Sequence, residues 1–392
     1  MRQRTLPGGY PLNFYLAFLA NFLFFSSMHL LLTPLPLYIE ELGGGAPQVG
    51  LAMTSFALAA IVTRPYMGRL VDTWGRKPVM LIGSTLFVLG PLSYTLAHSV
   101  PALLAARMFH GIGIAAFTTA YFALVADVTP RSRWGEALGV AGIAPAVSMI
   151  LASPVGTTLT HRVSFPVIFV GASLTALLSL AVTLLLHEPE RKSAAHQAAN
   201  PDQPGLLDVV QVPGVLVPSL ATVTLGLSYG AVYTFLPLFA VSRGLGNVGF
   251  YFTVLGLVII LSRSFAGRLS DRVGRVAVIL PMFIVFAVAM LGLNWTYSFV
   301  MLMVMALANG IGFGATRVGL DAMVVDNAPS GARGTALSLV YFCFDSGIAI
   351  GTMVIGIVAA SVGYGHVYLL VGAACILTAV AFGAAMRKQA AA

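Results

Sequence analysis

RPYMGRLVDTWGR, residues 64–76, is written a second time as RSFAGRLSDRVGR, residues 263–275, and this recurrence decides the fold. Asp72 and Asp271 stand 199 positions apart, and the register holds beyond the stretch itself. Gly111 and Gly113 answer to Gly310 and Gly312, Asp127 to Asp326, Pro130 to Pro329 and Gly135 to Gly334. A chain that repeats in parallel over half its length is two copies of one bundle. With 58% hydrophobic and 9% charged residues and a mean hydropathy of +0.92, those copies are not soluble domains. They are built for a bilayer.

A helix needs roughly 20 apolar residues to cross the hydrocarbon core. Twelve such stretches are predicted, near residues 13–39, 47–71, 78–97, 101–126, 136–158, 164–187, 213–240, 247–269, 276–295, 298–324, 334–361 and 365–386. The expected fold is therefore an all-α, polytopic membrane protein of two pseudo-symmetric six-helix bundles, 1–187 and 213–392, joined by a polar linker, 188–212. The first stretch follows two arginines but contains Pro34 and Pro36 and leads directly into another span, so it reads as a retained helix and not a signal peptide. Cys343 and Cys375 lie within apolar spans, where a thiol acts as a small hydrophobe. No metal-ligand spacing is visible.

The net charge of +8 is spread in short clusters between spans, which suits membrane topology and not nucleic acid. If the amino terminus is cytoplasmic, Arg2, Arg4, Arg69, Arg76, Lys77, Arg131, Arg133, Arg191, Lys192, Arg268, Arg272, Arg275, Arg333, Arg387 and Lys388 lie inside. Only Arg162 and Arg243 fall outside, and Arg64, Arg107, Arg263 and Arg317 remain within spans. Positive residues collect on the cytoplasmic side, so both termini are expected there.

The stretch GRLVDTWGRK, Gly68 to Lys77, with its echo GRLSDRVGR, Gly267 to Arg275, resembles the loop between helices 2 and 3 of the major facilitator superfamily. The resemblance covers essentially the whole chain. It implies alternating access between two bundles, with Gly68, Asp72, Arg76 and Lys77 and the second-copy Gly267, Asp271 and Arg275 as gating-loop residues. Two physical expectations go with that loop. Gly68 and Gly267 would let a helix end pack closely, and Asp72 and Asp271 would meet a neighbouring helix amino terminus, whose dipole favours a carboxylate. Thr73 stands where the family has arginine.

Arg107-Met-Phe-His110-Gly111-Ile-Gly113 is similar to the family's Arg-x-x-Gln-Gly-x-Gly pattern in helix 4, where the arginine is associated with proton coupling. His110 in place of glutamine is either a titrating group or a hydrogen-bonding substitute for the amide. Of the family's helix 5 antiporter turn, Gly-Pro-x-x-Gly-Gly, only Pro154 is matched in Ser153–Thr158. Ser148, Ala152 and Gly156 still provide a small-residue helix contact, repeated in helix 11 by Gly347 and Gly351.

Charges present in one copy and absent from the other are the sharper candidates. At the common offset Arg107 answers to Ala306, Arg317 to Thr118, Asp321 to Phe122 and Asp345 to Ala146. A charge within the membrane costs about 2.5–3.5 kcal/mol on insertion scales and must face protein or water. Asp345 lies about 16 Å into its helix at 1.5 Å per residue, near the midplane, with Tyr341 one turn away. Arg317 and Asp321, four apart, share a face and either neutralise each other or serve an inner gate. His29 and Asn21 lie in helix 1, which lines the cavity in the family. Glu40 and Glu41 read as rim charges, and the paired Arg64 and Arg263 as a structural feature common to both halves.

The expectation is a secondary active transporter, resembling the proton-coupled drug and metabolite exporters of the superfamily. Its energy source would be the proton gradient with no cofactor, its cargo a small amphipathic molecule, and its setting the inner membrane, as a monomer. An importer or a lipid flippase on the same fold is the alternative. The seven histidines are scattered, no nucleophile–base constellation emerges, and an enzyme is not expected.

Overall fold

The computed structural model describes residues 10–130, 133–188, 206–329 and 332–391. Arg2, Arg4, Arg131, Arg191 and Lys192, and most of the expected linker, lie outside the described residues. Helices account for most of the described chain, as they must where lipid offers the backbone no hydrogen bonds. In order they are α1 (Leu12–Leu30), α2 (Pro34–Glu41), α3 (Ala46–Trp74), α4 (Arg76–Tyr94), α5 (Val100–Val128), α6 (Trp134–Ala141), α7 (Ile143–Leu159) and α8 (Phe165–Leu184). There follow the short α9 (Leu206–Val210), then α10 (Pro213–Ser242), α11 (Gly249–Val273), α12 (Arg275–Leu293), α13 (Phe299–Asn327), α14 (Arg333–Val362) and α15 (Tyr364–Ala391).

Eleven of these segments are long and apolar enough to cross a membrane, with α1 and α2 counted as one. The remaining expected span is α4, a 19-residue helix that opens on Arg76-Lys77-Pro78 and so carries its two charges at one end. The predicted first and fifth spans are each broken. Pro34 lacks the N–H that would continue α1 and instead begins α2. Gly142 separates α6 from α7, three residues before Pro145.

The chain divides into two compact units, Met1–Gly44 with Ser55–His196, and Gly45–Thr54 with Gln197–Ala392. The first turns of α3 thus group with the second unit, where the expected division would have left them in the first. Thr54 Oγ1 donates to the Ala349 carbonyl on α14 at 2.8 Å, and a Cβ on Gly50 would stand 2.3 Å from the Thr352 carbonyl.

Within the first unit α1 packs on α7 and α8, and α4 on α5 and α8. Phe24 of α1 is fully buried between Phe87 of α4 and Phe117 of α5, with ring centroids 3.6 and 3.9 Å away. The small face foreseen on helix 5 is present: a Cβ on Gly156 would lie 2.2 Å from the Leu30 carbonyl. In the second unit α10 packs on α14, α13 and α15, and α13 on α11 and α12. Gly347 of α14 meets α10 in the same way, since a Cβ there would collide with the Val223 carbonyl. Cys343 and Cys375 are buried and free.

Candidate functional site

The repeated stretch forms a corner in each unit. Gly75 (φ 108°) alone separates α3 from α4, and Gly274 (φ 94°) alone separates α11 from α12, a backbone conformation that favours glycine. Beyond each glycine an arginine reaches an aspartate at the end of a neighbouring helix. Arg76 Nε lies 2.6 Å from Asp127 Oδ2, and Arg275 Nε lies 2.8 Å from Asp326 Oδ2. In the sequence Asp127 and Asp326 are only matched positions; the structure pairs each with the arginine of its own corner.

Two expectations for the corner need correction. Gly68 has open space around its missing side chain, and the nearest atom to a Cβ on Gly267 would be 3.9 Å away, so neither is a close-packing glycine. Both lie on helix faces short of the turn, and the conformational demand falls on Gly75 and Gly274. Asp271 pairs with Arg275 one turn on, and Asp72 is exposed. The carboxylate that caps a helix here is Glu188. It accepts from the Arg76 and Lys77 backbone N–H groups at 2.8 and 2.7 Å, while Lys77 Nζ donates to the Leu184 carbonyl at 2.8 Å. Glu188 follows α8 by a few residues, so the end of the sixth span is tied to the corner between the second and third.

In the interior of the first unit, Arg107 and His110 share a single tyrosine. Tyr94 Oη is 2.7 Å from His110 Nδ1 and accepts from Arg107 Nη1 at 3.3 Å. The guanidinium also lies over the Phe56 ring, 4.2 Å from its centroid. His110 is fully buried, and its Nε2 has no hydrogen-bond partner among the described residues. Gly111 brings α5 against α3, since a Cβ there would stand 2.3 Å from the Phe56 carbonyl. His29 and Asn21 are packed within this unit. His29 Nδ1 is 2.6 Å from Ser148 Oγ on α7, and Asn21 Nδ2 donates to the Ala141 carbonyl at 3.4 Å.

The second unit gathers the unmatched charges. Arg317 is buried, ion-paired with Asp321 at 3.0 Å, and lies over the rings of Phe344 and Tyr341 at 4.5 and 5.0 Å. Asp345, half-buried on α14, is within electrostatic reach of Arg317 and of Tyr229 on α10. Arg263 on α11 is exposed and within reach of Arg317, Asp321 and Tyr341. Four expected residues, Arg317, Asp321, Tyr341 and Asp345, are thus brought into one neighbourhood, together with Arg263, which the repeat had marked as structural. Aromatic side chains extend this neighbourhood into the bundle: Tyr229 stacks on Tyr233 at 3.7 Å and approaches Phe344 at 5.6 Å. Asn309 donates to Tyr251 Oη at 2.8 Å. Asn309 occupies the repeat position of His110, a signal present in the sequence and passed over.

Basic, acidic and aromatic side chains thus stand close together on these membrane helices. They provide no nucleophile with its base, and no group of three or more potential metal ligands occurs among the described residues.

The profile of the Major Facilitator Superfamily matches residues 17–263 and 219–391. An uncharacterized MFS-type transporter of Methanocaldococcus jannaschii, MJ1560, is 24% identical over 348 residues, 85% of this chain and 87% of its own. The quinolone resistance protein NorA of Staphylococcus aureus is 25% identical over 225 residues, 57% of each chain, so the match spans little more than half of NorA. A crystal structure of the nucleoside transporter NupG superposes with a TM-score of 0.80 over 95% of this chain and 99% of that one, at 15% identity, a likeness of fold alone. With its sequence profile matched almost end to end and its helices in the same architecture, the chain belongs to the major facilitator superfamily and is a multi-pass membrane transporter, not an enzyme.

Proposed function

We propose that the chain exports a small, amphipathic organic molecule by alternating access, in antiport with protons, with both termini in the cytoplasm. The observation that carries this reading is the neighbourhood of Asp345, Arg317, Asp321 and Tyr341 in the second unit. A carboxylate near the membrane midplane, beside an arginine and a set of aromatic rings, has what exchange of a proton for an amphipathic solute requires. Burial favours its neutral form and a nearby cation its charged form, so a change of access shifts its proton affinity. The first unit adds the Arg107–Tyr94–His110 cluster. The likeness to NorA, a resistance protein, supports the outward direction.

Everted membrane vesicles provide the test. An inward-acid gradient should drive uptake of amphipathic dyes into vesicles bearing the chain, and an uncoupler should abolish it. Uptake indifferent to the gradient would overturn the proton coupling, and movement only in the opposite sense would overturn export in favour of an importer.

A further inference from the structure

The arginine, tyrosine and histidine gathered in the first unit form a set that the second unit lacks. At the repeat positions of Tyr94, Arg107 and Gly90 the second unit has Leu293, Ala306 and Ala289, and at that of His110 it has Asn309, which turns to Tyr251 instead. Gly90 provides the seat of the imidazole. A Cβ there would stand 2.6 Å from His110 Cγ, so the ring lies directly on the α4 backbone. The smaller amide of the second unit is matched with an alanine.

The hydrogens of this cluster can be counted. Tyr94 Oη has one proton to give and two lone pairs. It accepts from Arg107 Nη1, which can only donate, and lies 2.7 Å from His110 Nδ1. Were Nδ1 protonated, the phenol would accept twice, and its own O–H would be buried with no acceptor among the described residues, a costly arrangement. When the phenol donates to a bare Nδ1, only Nε2 is left without a partner. Nε2 then carries the ring's proton, among the rings of Phe87 and Phe56 at centroid distances of 4.1 and 5.5 Å. An aromatic face weakly accepts an N–H and repels a lone pair. Nothing nearby would balance an imidazolium. The groups facing the ring are Tyr94 and Arg107, itself a cation. The helices α1, α4 and α8 carry no acidic residue, and His29 of α1 turns to Ser148 on α7. On α3, Arg64 lies two turns beyond Phe56 and Asp72 more than four, and Asp127 of α5 is about 25 Å along the helix from His110, at 1.5 Å per residue. The short α6 meets α5 at Tyr121, three turns away from His110.

We infer that Tyr94 is a positioning residue for transport: its lone pair holds Arg107 in place over Phe56, and its proton fixes His110 as the neutral imidazole protonated on Nε2. His110 is then a hydrogen-bond acceptor that anchors the phenol, and not a carrier of the transported proton. The chain of dependence runs from Gly90, which seats the imidazole, through His110 and Tyr94 to the guanidinium. The inference rests on the transport reading only where proton flux is its measure; the tautomer of His110 is a property of the chain at rest.

Solid-state NMR of the full-length chain in lipid, with nitrogen-labelled histidine, reads the ring directly, the His110 signals being those missing from His110→Asn. A bare Nδ1 and a protonated Nε2 are expected at both pH 6 and pH 8. In Tyr94→Phe, which has no proton to give, the two tautomers should mix; Gly90→Ala, which crowds the ring without removing a polar atom, should do the same and serves if Tyr94→Phe does not fold. An imidazolium, a protonated Nδ1 in the parent, or a ring unchanged in these variants would overturn the inference. Solute-driven proton flux in proteoliposomes then separates positioning from proton carriage. Tyr94→Phe and His110→Leu should each lower it several-fold, and His110→Asn, whose Oδ1 can accept where Nδ1 does, should recover most of the parent rate. Flux as low in His110→Asn as in His110→Leu would mark the ring as a proton carrier and overturn the inference, as would undiminished flux in Tyr94→Phe. A parent chain with the expected tautomer but no solute-driven flux loses the transport reading alone.

Discussion

Arg76 stands 2.6 Å from Asp127, and 199 residues later Arg275 stands 2.8 Å from Asp326. The same ion pair closes the same corner in both units, where one glycine joins two long helices. Arg76 and Asp127 are 21% and 39% exposed, a setting in which an ion pair contributes only about 0–1 kcal/mol. Its conservation between units therefore points to geometry more than stability. Asp127→Asn should slow transport several-fold while moving the melting temperature little, and the exchanged pair Arg76→Asp with Asp127→Arg should recover part of the rate. Vesicle uptake and thermal unfolding of the three proteins check both halves of this expectation.

Glu188 caps α4 from more than a hundred residues away, through two backbone N–H groups. Loss of a capping oxygen costs about 1 kcal/mol. In Glu188→Ala the amides of Arg76 and Lys77 should exchange hydrogen about five-fold faster, while those at the start of α12, which Glu188 does not touch, should keep their parent rates. Hydrogen–deuterium exchange resolves the two corners.

Phe24 is the centre of the first unit's core, stacked on two rings and fully buried. Truncating such a residue removes its contacts and leaves a cavity, at a cost of about 3–5 kcal/mol. Phe24→Ala should show the largest destabilisation of any single alanine variant in that unit, and Phe24→Leu a clearly smaller one, read by thermal unfolding in detergent.

Arg317 is almost wholly buried beside Asp321. Breaking a buried pair from one side strands a charge, at about 3–5 kcal/mol, whereas removing both partners does not. Asp321→Asn alone should be less stable than the double variant Arg317→Gln with Asp321→Asn. A double-mutant cycle in which the two effects simply add would show that the pair is not coupled.

The repeat made the corners legible before any coordinates, because Gly75, Arg76 and Asp127 have counterparts at one constant spacing. The Glu188 cap has no such signature, since its bond is made to backbone N–H groups that every residue carries. The tyrosine partners of His110 and Asn309 were equally hidden, because an all-apolar span does not show which way each helix is turned. The register itself also shifts. Thr33-Pro34-Leu35-Pro36-Leu37 of the first span answers to Thr234-Phe235-Leu236-Pro237-Leu238 at 201 residues, so a single offset of 199 misaligns helices 1 and 7 by two positions. Asp345, Arg317 and Asp321 stand out because they break the symmetry, Tyr341 because it lies one turn from Asp345, and their common neighbourhood follows from α13 and α14 lying side by side.

If Asp345 exchanges the proton, solute-driven proton flux, measured with a pH-sensitive dye inside proteoliposomes, should be present in the parent chain, lost in Asp345→Asn with solute binding retained, and partly restored in Asp345→Glu. Undiminished flux in Asp345→Asn would contradict it.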